Sequence, residues 1–113
     1  MKVFDWREVE AVKAEEGASG LNVRWLITKD VGAENFAMRL FEMAPAGFSP
    51  LHSHPWEHEV YILQGEGVIL MEEGERTFNV GTVIFIPPDE KHQFRNTGSE
   101  TVRFLCLIPY KKG

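Results

Sequence analysis

Short runs of β-branched and aromatic residues recur along the whole chain, and turn signals separate each run from the next. The segment Gly65-Glu66-Gly67 divides two such runs, and the segments 87–90 and 96–99 are rich in residues that favour turns. Only the charged stretch 7–16 hints at a helix, and it lacks a clear apolar stripe. The chain is therefore predicted to be all-β. The predicted strands cover 21–28, 36–41, 58–63, 68–71, 76–80, 82–86, 92–95 and 101–108.

Sheet edges restrict the architectures open to a small all-β chain, because an unpaired edge invites association with other chains. A closed barrel or a jelly roll of about eight strands removes or protects those edges. The 113 residues are enough for one core, so we expect a single domain. A jelly roll of this size encloses room for one small ligand.

The charge balance excludes several classes of partner. The net charge is −5 at pH 7, and the one basic pair, Lys111-Lys112, is predicted to be a solvated terminus. Nucleic acids and anionic membranes need clustered Lys and Arg, so neither partner is expected. The single cysteine, Cys106, forms no internal disulfide. The N-terminus is too charged for a signal peptide and no apolar run could span a bilayer, which predicts a cytoplasmic protein.

The histidines are grouped in a way that favours metal binding. His52, His54 and His58 lie within seven residues, and His92 follows after the next predicted strands. Neutral imidazole is the commonest metal ligand in proteins near pH 7. Side chains of a strand alternate between its two faces, so these three even-numbered histidines share a face with the apolar residues that follow them. The pattern predicts a transition metal held by nitrogen ligands inside an apolar cavity.

The same alternation identifies candidate walls for that cavity. Arg103 marks the solvent face of the last strand, so its neighbours of even number point inward. Cys106 is more often a small buried hydrophobe than a reactive thiol. Arg39 reaches the cavity if it follows the parity of Phe41, although a solvated strand arginine is the commoner case, and the phenylalanines are either cavity wall or core. The candidate pocket residues are Arg39, Phe41, Val60, Phe94, Phe104, Cys106 and Ile108.

Two stretches of this chain resemble the two motifs of the cupins. The first contains Gly47, His52, His54, His58 and Gly65, and the second contains Gly81, Pro87, His92 and Asn96. The resemblance covers about residues 36–108, which would form the conserved barrel core. The N-terminal strands would lie in 1–35, and the whole of 1–113 would be one cupin domain. It implies a double-stranded β-helix, or jelly-roll, barrel with His52, His54 and His92 on a divalent metal.

The chain departs from the cupin pattern at the ligand that is usually a glutamate. His58 occupies that position, and Glu57 and Glu59 flank it, so a register error of one residue would make either glutamate the ligand. Parity favours His58. Asp89 replaces a glycine of the second motif, which a turn tolerates because Asp accepts left-handed backbone angles.

A four-histidine set is similar to the small single-domain four-histidine cupins, whose reported metal is manganese. Ligand preference alone would favour copper, nickel, iron or zinc. Following the resemblance, we expect one divalent transition metal per chain, with manganese first and iron second. The resemblance also implies a homodimer in which N-terminal residues pack on the partner.

These features lead to two functional hypotheses. The first is a metal-dependent oxidoreductase that uses O2 or a peroxide on a small apolar substrate, with oxidative cleavage of a carbon–carbon double bond implied by the resemblance. The second is a metal-loaded cupin that binds a small ligand without turnover. No general base besides the ligands is evident in the sequence, and this disfavours isomerase or decarboxylase chemistry.

Overall fold

The computed structural model describes residues 1–110, and nine strands account for most of their regular structure. The predicted all-β fold is confirmed. The Lys111-Lys112 tail, and with it the end of the predicted domain 1–113, lies outside the described residues. The strands are β1 (Val12–Lys13), β2 (Ser19–Ile27), β3 (Phe36–Phe48), β4 (His58–Gln64), β5 (Gly67–Met71), β6 (Gly74–Phe78), β7 (Val83–Ile86), β8 (Gln93–Asn96) and β9 (Val102–Pro109).

The strands form one curled antiparallel sheet of the jelly-roll type. Seven of them follow the order β6-β5-β8-β3-β9-β4-β7, and β2 adds to β3 with β1 on its outer edge. Strand β3 joins the two halves, because it pairs along most of its length with β2 and β9 while Phe48 at its end pairs with Arg95 of β8. The pairing with β2 is interrupted near Ala46, whose φ of 66° marks the irregularity.

The inner face of the sheet carries the core, as strand alternation predicts. In β4, His58, Val60 and Ile62 are buried, whereas Glu59 and Tyr61 between them are exposed. The buried apolar cluster is made of Leu21, Met43, Val60, Ile62, Ile69, Phe78, Ile86, Phe94, Val102, Phe104 and Cys106.

The N-terminal stretch departs from the helix hinted at by residues 7–16. A single 3-10 turn, Trp6–Glu8, is capped by Asp5, whose carboxylate accepts a hydrogen bond of 2.8 Å from the backbone N–H of Arg7. The chain then becomes extended and forms β1. The hint was wrong because the stretch has no apolar stripe to bury, so nothing stabilises a longer helix. No helix within residues 1–110 is long and apolar enough to cross a membrane.

Candidate metal centre

Backbone hydrogen bonds bring the two histidine-bearing segments together. The backbone N–H of His52 donates to the carbonyl of His92 over 3.2 Å, and the N–H of His92 donates back over 2.9 Å. The N–H of Asp89 also donates to the carbonyl of His54 over 2.7 Å. Asp89 adopts φ of 70°, so its backbone takes the left-handed conformation expected at this position of the motif.

All four histidines line one cavity. The ring centroids of His52 and His54 are 4.4 Å apart, those of His52 and His92 4.9 Å, and that of His58 is 5.3 Å from both His54 and His92. The centroids of His54 and His92 are 6.4 Å apart. An imidazole nitrogen binds a zinc-like ion at about 2.0–2.1 Å, and the four imidazoles at these separations surround one common space.

The environment keeps two of these imidazoles neutral. Burial lowers the pKa of His58 to about 3, assisted by the nearby His92 and Arg39. Burial also lowers the pKa of His52, although the carboxylate of Glu15 opposes the shift. A neutral imidazole retains the lone pair that a metal requires.

Two of the histidines use Nδ1, the nitrogen turned away from the proposed ligand position, in contacts that suit metal binding through Nε2. Nδ1 of His92 donates to the carbonyl of Glu90 over 2.9 Å, and Nδ1 of His52 lies 3.2 Å from Oε1 of Glu15. In both rings Nε2 is left as the potential ligand, an orientation that outer hydrogen bonds commonly enforce in metal sites. The buried Nδ1 of His58 has no hydrogen-bond partner among residues 1–110. Imidazole nitrogens of His52 and His54 together with the carboxylate of Glu15 could therefore hold a metal ion.

The two glutamates beside His58 lie outside the cavity. Glu57 and Glu59 are exposed and line a separate groove with Phe36 and Leu107, whereas His58 is only 5% exposed. The register of β4 therefore directs His58, and neither neighbour, towards the other histidines.

Five of the seven predicted pocket residues line the histidine cavity. Phe104 stacks between Phe41 and Phe94, at centroid distances of 5.1 and 4.6 Å. The structure places the other two elsewhere: Val60 is buried in the core, and Ile108 lines the outer groove beside Glu59. Parity predicts the face on which a strand residue lies, but not its depth along a curled sheet. The five residues are Arg39, Phe41, Phe94, Phe104 and Cys106.

Glu15 is a cavity residue that sequence reasoning missed. It lies between β1 and β2, and its carboxylate forms a close group with His52 and His54 whose potential ligand atoms all lie within 4.8 Å of one another. Such a group could hold a metal ion. It shares His52 and His54 with the four-histidine set. No sequence pattern near Glu15 predicted its place in the cavity, because its contact with His52 depends on how the N-terminal segment packs across the sheet.

Arg39 also reaches the cavity. Its Nη2 donates to Sγ of Cys106 over 3.1 Å, and its guanidinium carbon lies 4.8 Å from the ring centroid of Phe41 and 5.4 Å from that of Trp25. The pKa of Cys106 is raised by burial, so its thiol is protonated at neutral pH. The arginine is half-buried rather than solvated.

Comparison with known proteins identifies the family. The family model described as "Cupin domain" matches residues 39–108. The chain is a cupin. The polyketide cyclase RemF from Streptomyces resistomycificus superposes on this cupin with a TM-score of 0.92 and 35% identity, covering 98% of this chain and 80% of that one.

Two curated relatives bear different descriptions. The oxalate-binding protein of Thermotoga maritima is 32% identical, covering 88% of the cupin and 84% of the relative. The 1-methylthio-D-xylulose 5-phosphate methylsulfurylase of Rhodospirillum rubrum is 34% identical over 71 residues, which are 63% of the cupin. The cupin spans 46% of the length of that methylsulfurylase.

Proposed function

We propose that this cupin is a metal-dependent enzyme that holds one divalent transition metal on His52, His54, His58 and His92. The observation that carries the proposal is the convergence of the four rings on one cavity, with centroid separations of 4.4–6.4 Å. Manganese is the first choice and iron the second, while nickel, copper and zinc also suit imidazole ligands.

The donor set determines what the metal would contribute. Four neutral imidazoles leave the full double positive charge on the ion, so it would supply Lewis acidity towards an oxygen atom of a bound substrate. The chain itself supplies the other functions. The stacked rings of Phe41, Phe104 and Phe94 exclude water, and Glu15 places a carboxylate at the cavity.

The reaction class best supported is proton transfer next to a carbonyl, as in a cyclisation or an isomerisation. Glu15 is the candidate proton acceptor, because its side chain lines the cavity and is 54% exposed, so that it can exchange protons with solvent. The sequence alone disfavoured such chemistry for want of a base, and the position of Glu15 supplies one. The likeness to a polyketide cyclase supports the same class.

An oxidoreductase that uses O2 or a peroxide is the second candidate. The apolar wall of three phenylalanines favours it, since such a wall suits an alkene, the substrate of oxidative C=C cleavage. A metal-loaded cupin that binds its ligand without turnover is the alternative, supported by the relative described as an oxalate-binding protein.

Deuterium exchange separates these candidates. Metal-loaded protein would be incubated in D2O with pentane-2,4-dione, and loss of the α-proton signal followed by NMR. We expect the α-protons to exchange faster with wild-type protein than in buffer alone. The exchange rate due to the protein should fall at least tenfold in Glu15→Gln and should not change in Glu16→Gln, which removes an exposed neighbouring carboxylate. Oxygen or peroxide consumption with alkenes, without α-proton exchange, would select the oxidoreductase. Ligand binding with neither reaction would select the binding cupin.

The proposal also includes a small-molecule substrate, a homodimer and a cytoplasmic location. Four exposed apolar side chains, Tyr61, Leu63, Val83 and Phe85, lie on β4 and β7 and support the homodimer. Tyr61 pairs directly with Val83, and Phe85 pairs with Glu59, so these side chains form one contiguous outer surface.

A further inference from the structure

Arg39 brings a positive charge to the cavity from the middle of the sheet. Arg39 lies opposite Trp25 on β2 and opposite Cys106 on β9, so strand pairing on both sides fixes where its side chain starts. The rings of Trp25 and Phe41 then flank the guanidinium. A planar cation between aromatic groups is held in one orientation, which prepares it for a planar partner.

This guanidinium has no carboxylate partner within residues 1–110. The ion pairs of the described chain join Glu42 to Arg24 and Arg103 and Asp5 to Arg7, while the carboxylate of Glu15 lies against the neutral imidazole of His52. The Nε atom of Arg39 is buried and donates to no acceptor in the same residues. Within residues 1–110, the side chain of Arg39 makes one hydrogen bond, to the neutral sulfur of Cys106, and thiol sulfur is a weak acceptor.

No negative side chain among residues 1–110 forms an ion pair with this half-buried arginine, so a negative ligand would stabilise it. Burying a charge is unfavourable unless an opposite charge or strong acceptors enter the site. Arg39 lines the same cavity as the four histidines. A carboxylate matches the arginine best, because its two oxygens can accept a pair of parallel hydrogen bonds from one guanidinium.

We propose that Arg39 forms a subsite for the carboxylate of a small substrate, next to the histidines. This inference rests on the proposed function for the identity of the site, and it names the substrate class. The cavity holds about 40 Å³ of free space, so the carboxylate lies within a few bonds of the reacting atom. On entry, the carboxylate would replace Cys106 as the acceptor for Nη2 and would give Nε its missing partner.

A matched pair of ligands tests the subsite. Propionate and propionamide have the same size and shape and differ in charge, so their binding to zinc-loaded protein can be compared by NMR titration. We expect propionate to bind wild type at least tenfold more tightly than propionamide, and this preference to be lost in Arg39→Gln. Arg76→Gln, which removes an exposed arginine on β6, should keep the preference. Equal propionate affinity in wild type and Arg39→Gln would overturn the proposal.

Two further measurements separate this proposal from the identity of the metal centre. Metal content of Arg39→Gln should equal that of wild type, and a loss of metal would overturn the subsite by showing that Arg39 supports the fold of the centre. The titration should also be repeated on metal-free protein. A preference for propionate that depends on Arg39 and persists without metal supports the subsite even if the four histidines hold no ion. Absence of that preference in both forms refutes it.

Discussion

At the scale of single residues, His58 distinguishes this chain from a cupin with a glutamate ligand. Its ring is 5% exposed and faces the other histidines, while Glu57 and Glu59 beside it are exposed on the outer surface. One step of strand register therefore separates a nitrogen ligand from an oxygen ligand. In the proposed metal centre, that step would decide the charge left on the ion.

We predict that His58→Ala lowers metal content from about one ion per chain to below a tenth of that under matched purification. Glu59→Gln is the matched control and should retain full metal content, because its side chain points away from the cavity. Inductively coupled plasma mass spectrometry measures both, and circular dichroism verifies the fold of each variant. Loss of metal in Glu59→Gln with retention in His58→Ala would mean that the ligand is a glutamate.

Asn96 performs a structural task at the same scale. Its buried side-chain amide donates to the carbonyls of Met43 and Glu100 and accepts from the N–H of Gly98, each over 2.9 Å. We predict that Asn96→Ala lowers the free energy of unfolding by about 3 kcal/mol, because it leaves buried carbonyls unsatisfied. Urea denaturation measures this change. Thr97→Ala in the adjacent turn is the comparison, and an equal loss there would refute a specific role for the amide.

At the scale of strands, a charged cluster ties the N-terminal segment to the outer face of the sheet. Glu42 on β3 accepts hydrogen bonds from Arg24 on β2 over 2.7 Å and from Arg103 on β9 over 2.9 Å. The ring of Trp6 lies 4.9 Å and 5.3 Å from the two guanidinium carbons, and Arg24 also donates to the carbonyl of Val9. The cluster links three strands and the first turn of the chain.

The cluster gives stability a defined dependence on pH. Burial alone would raise the pKa of Glu42, but the hydrogen bonds from Arg24 and Arg103 lower it below the ordinary 4.5. The folded protein then holds this carboxylate ionised at a pH where the unfolded chain takes up a proton. Its contribution to stability is present above pH 4.5, and it is lost as the pH falls through the lowered pKa of the folded state.

We therefore predict that the unfolding free energy of wild type falls more steeply below pH 4.5 than that of Glu42→Gln. At pH 7 the variant should be less stable by about 2 kcal/mol, because two arginines lose their shared counter-charge. Urea titrations at pH 3.5, 4.5 and 7 measure both effects. Parallel curves for the two proteins would show that Glu42 contributes no pH dependence.

Strand-scale features also mark how far the sequence could predict the structure. Alternation in β4 predicted the buried face through His58, Val60 and Ile62, because one strong period governs a strand between core and solvent. Distance along a curled strand has no such signal, so Val60 and Ile108 were assigned to a cavity that they do not line. Contacts between residues far apart in the sequence also have no periodic signal that could predict them. Glu15 reaches His52 over 37 positions of sequence through packing alone.

At the scale of the whole molecule, the outer surface of β4 and β7 is unusually apolar for a free sheet face. Val83 is 73% exposed, Phe85 57%, Tyr61 47% and Leu63 44%. Contiguous exposed apolar surface is typical of an interface between proteins. A second copy of the chain is the proposed partner.

We predict that the protein elutes as a dimer of 12.9 kDa chains, with its mass measured by light scattering after size-exclusion chromatography. Val83→Lys should shift it towards monomer, because a buried lysine without a partner charge opposes association. Glu72→Lys, in the turn between β5 and β6, should leave the mass unchanged. A monomeric wild type at micromolar concentration would refute this interface.

The hydrogen-bonded bridge between His52 and His92 imposes an order on biosynthesis. The first three histidines leave the ribosome before the fourth, yet the bridge that pairs the backbone of His52 requires His92. Strand β4, which carries His58, has β9 as a neighbour, and β9 follows β4 in the sequence and is made after it. The nascent chain therefore presents three imidazoles before the fourth exists, and the arrangement of all four forms only after His92 and β9 have been made.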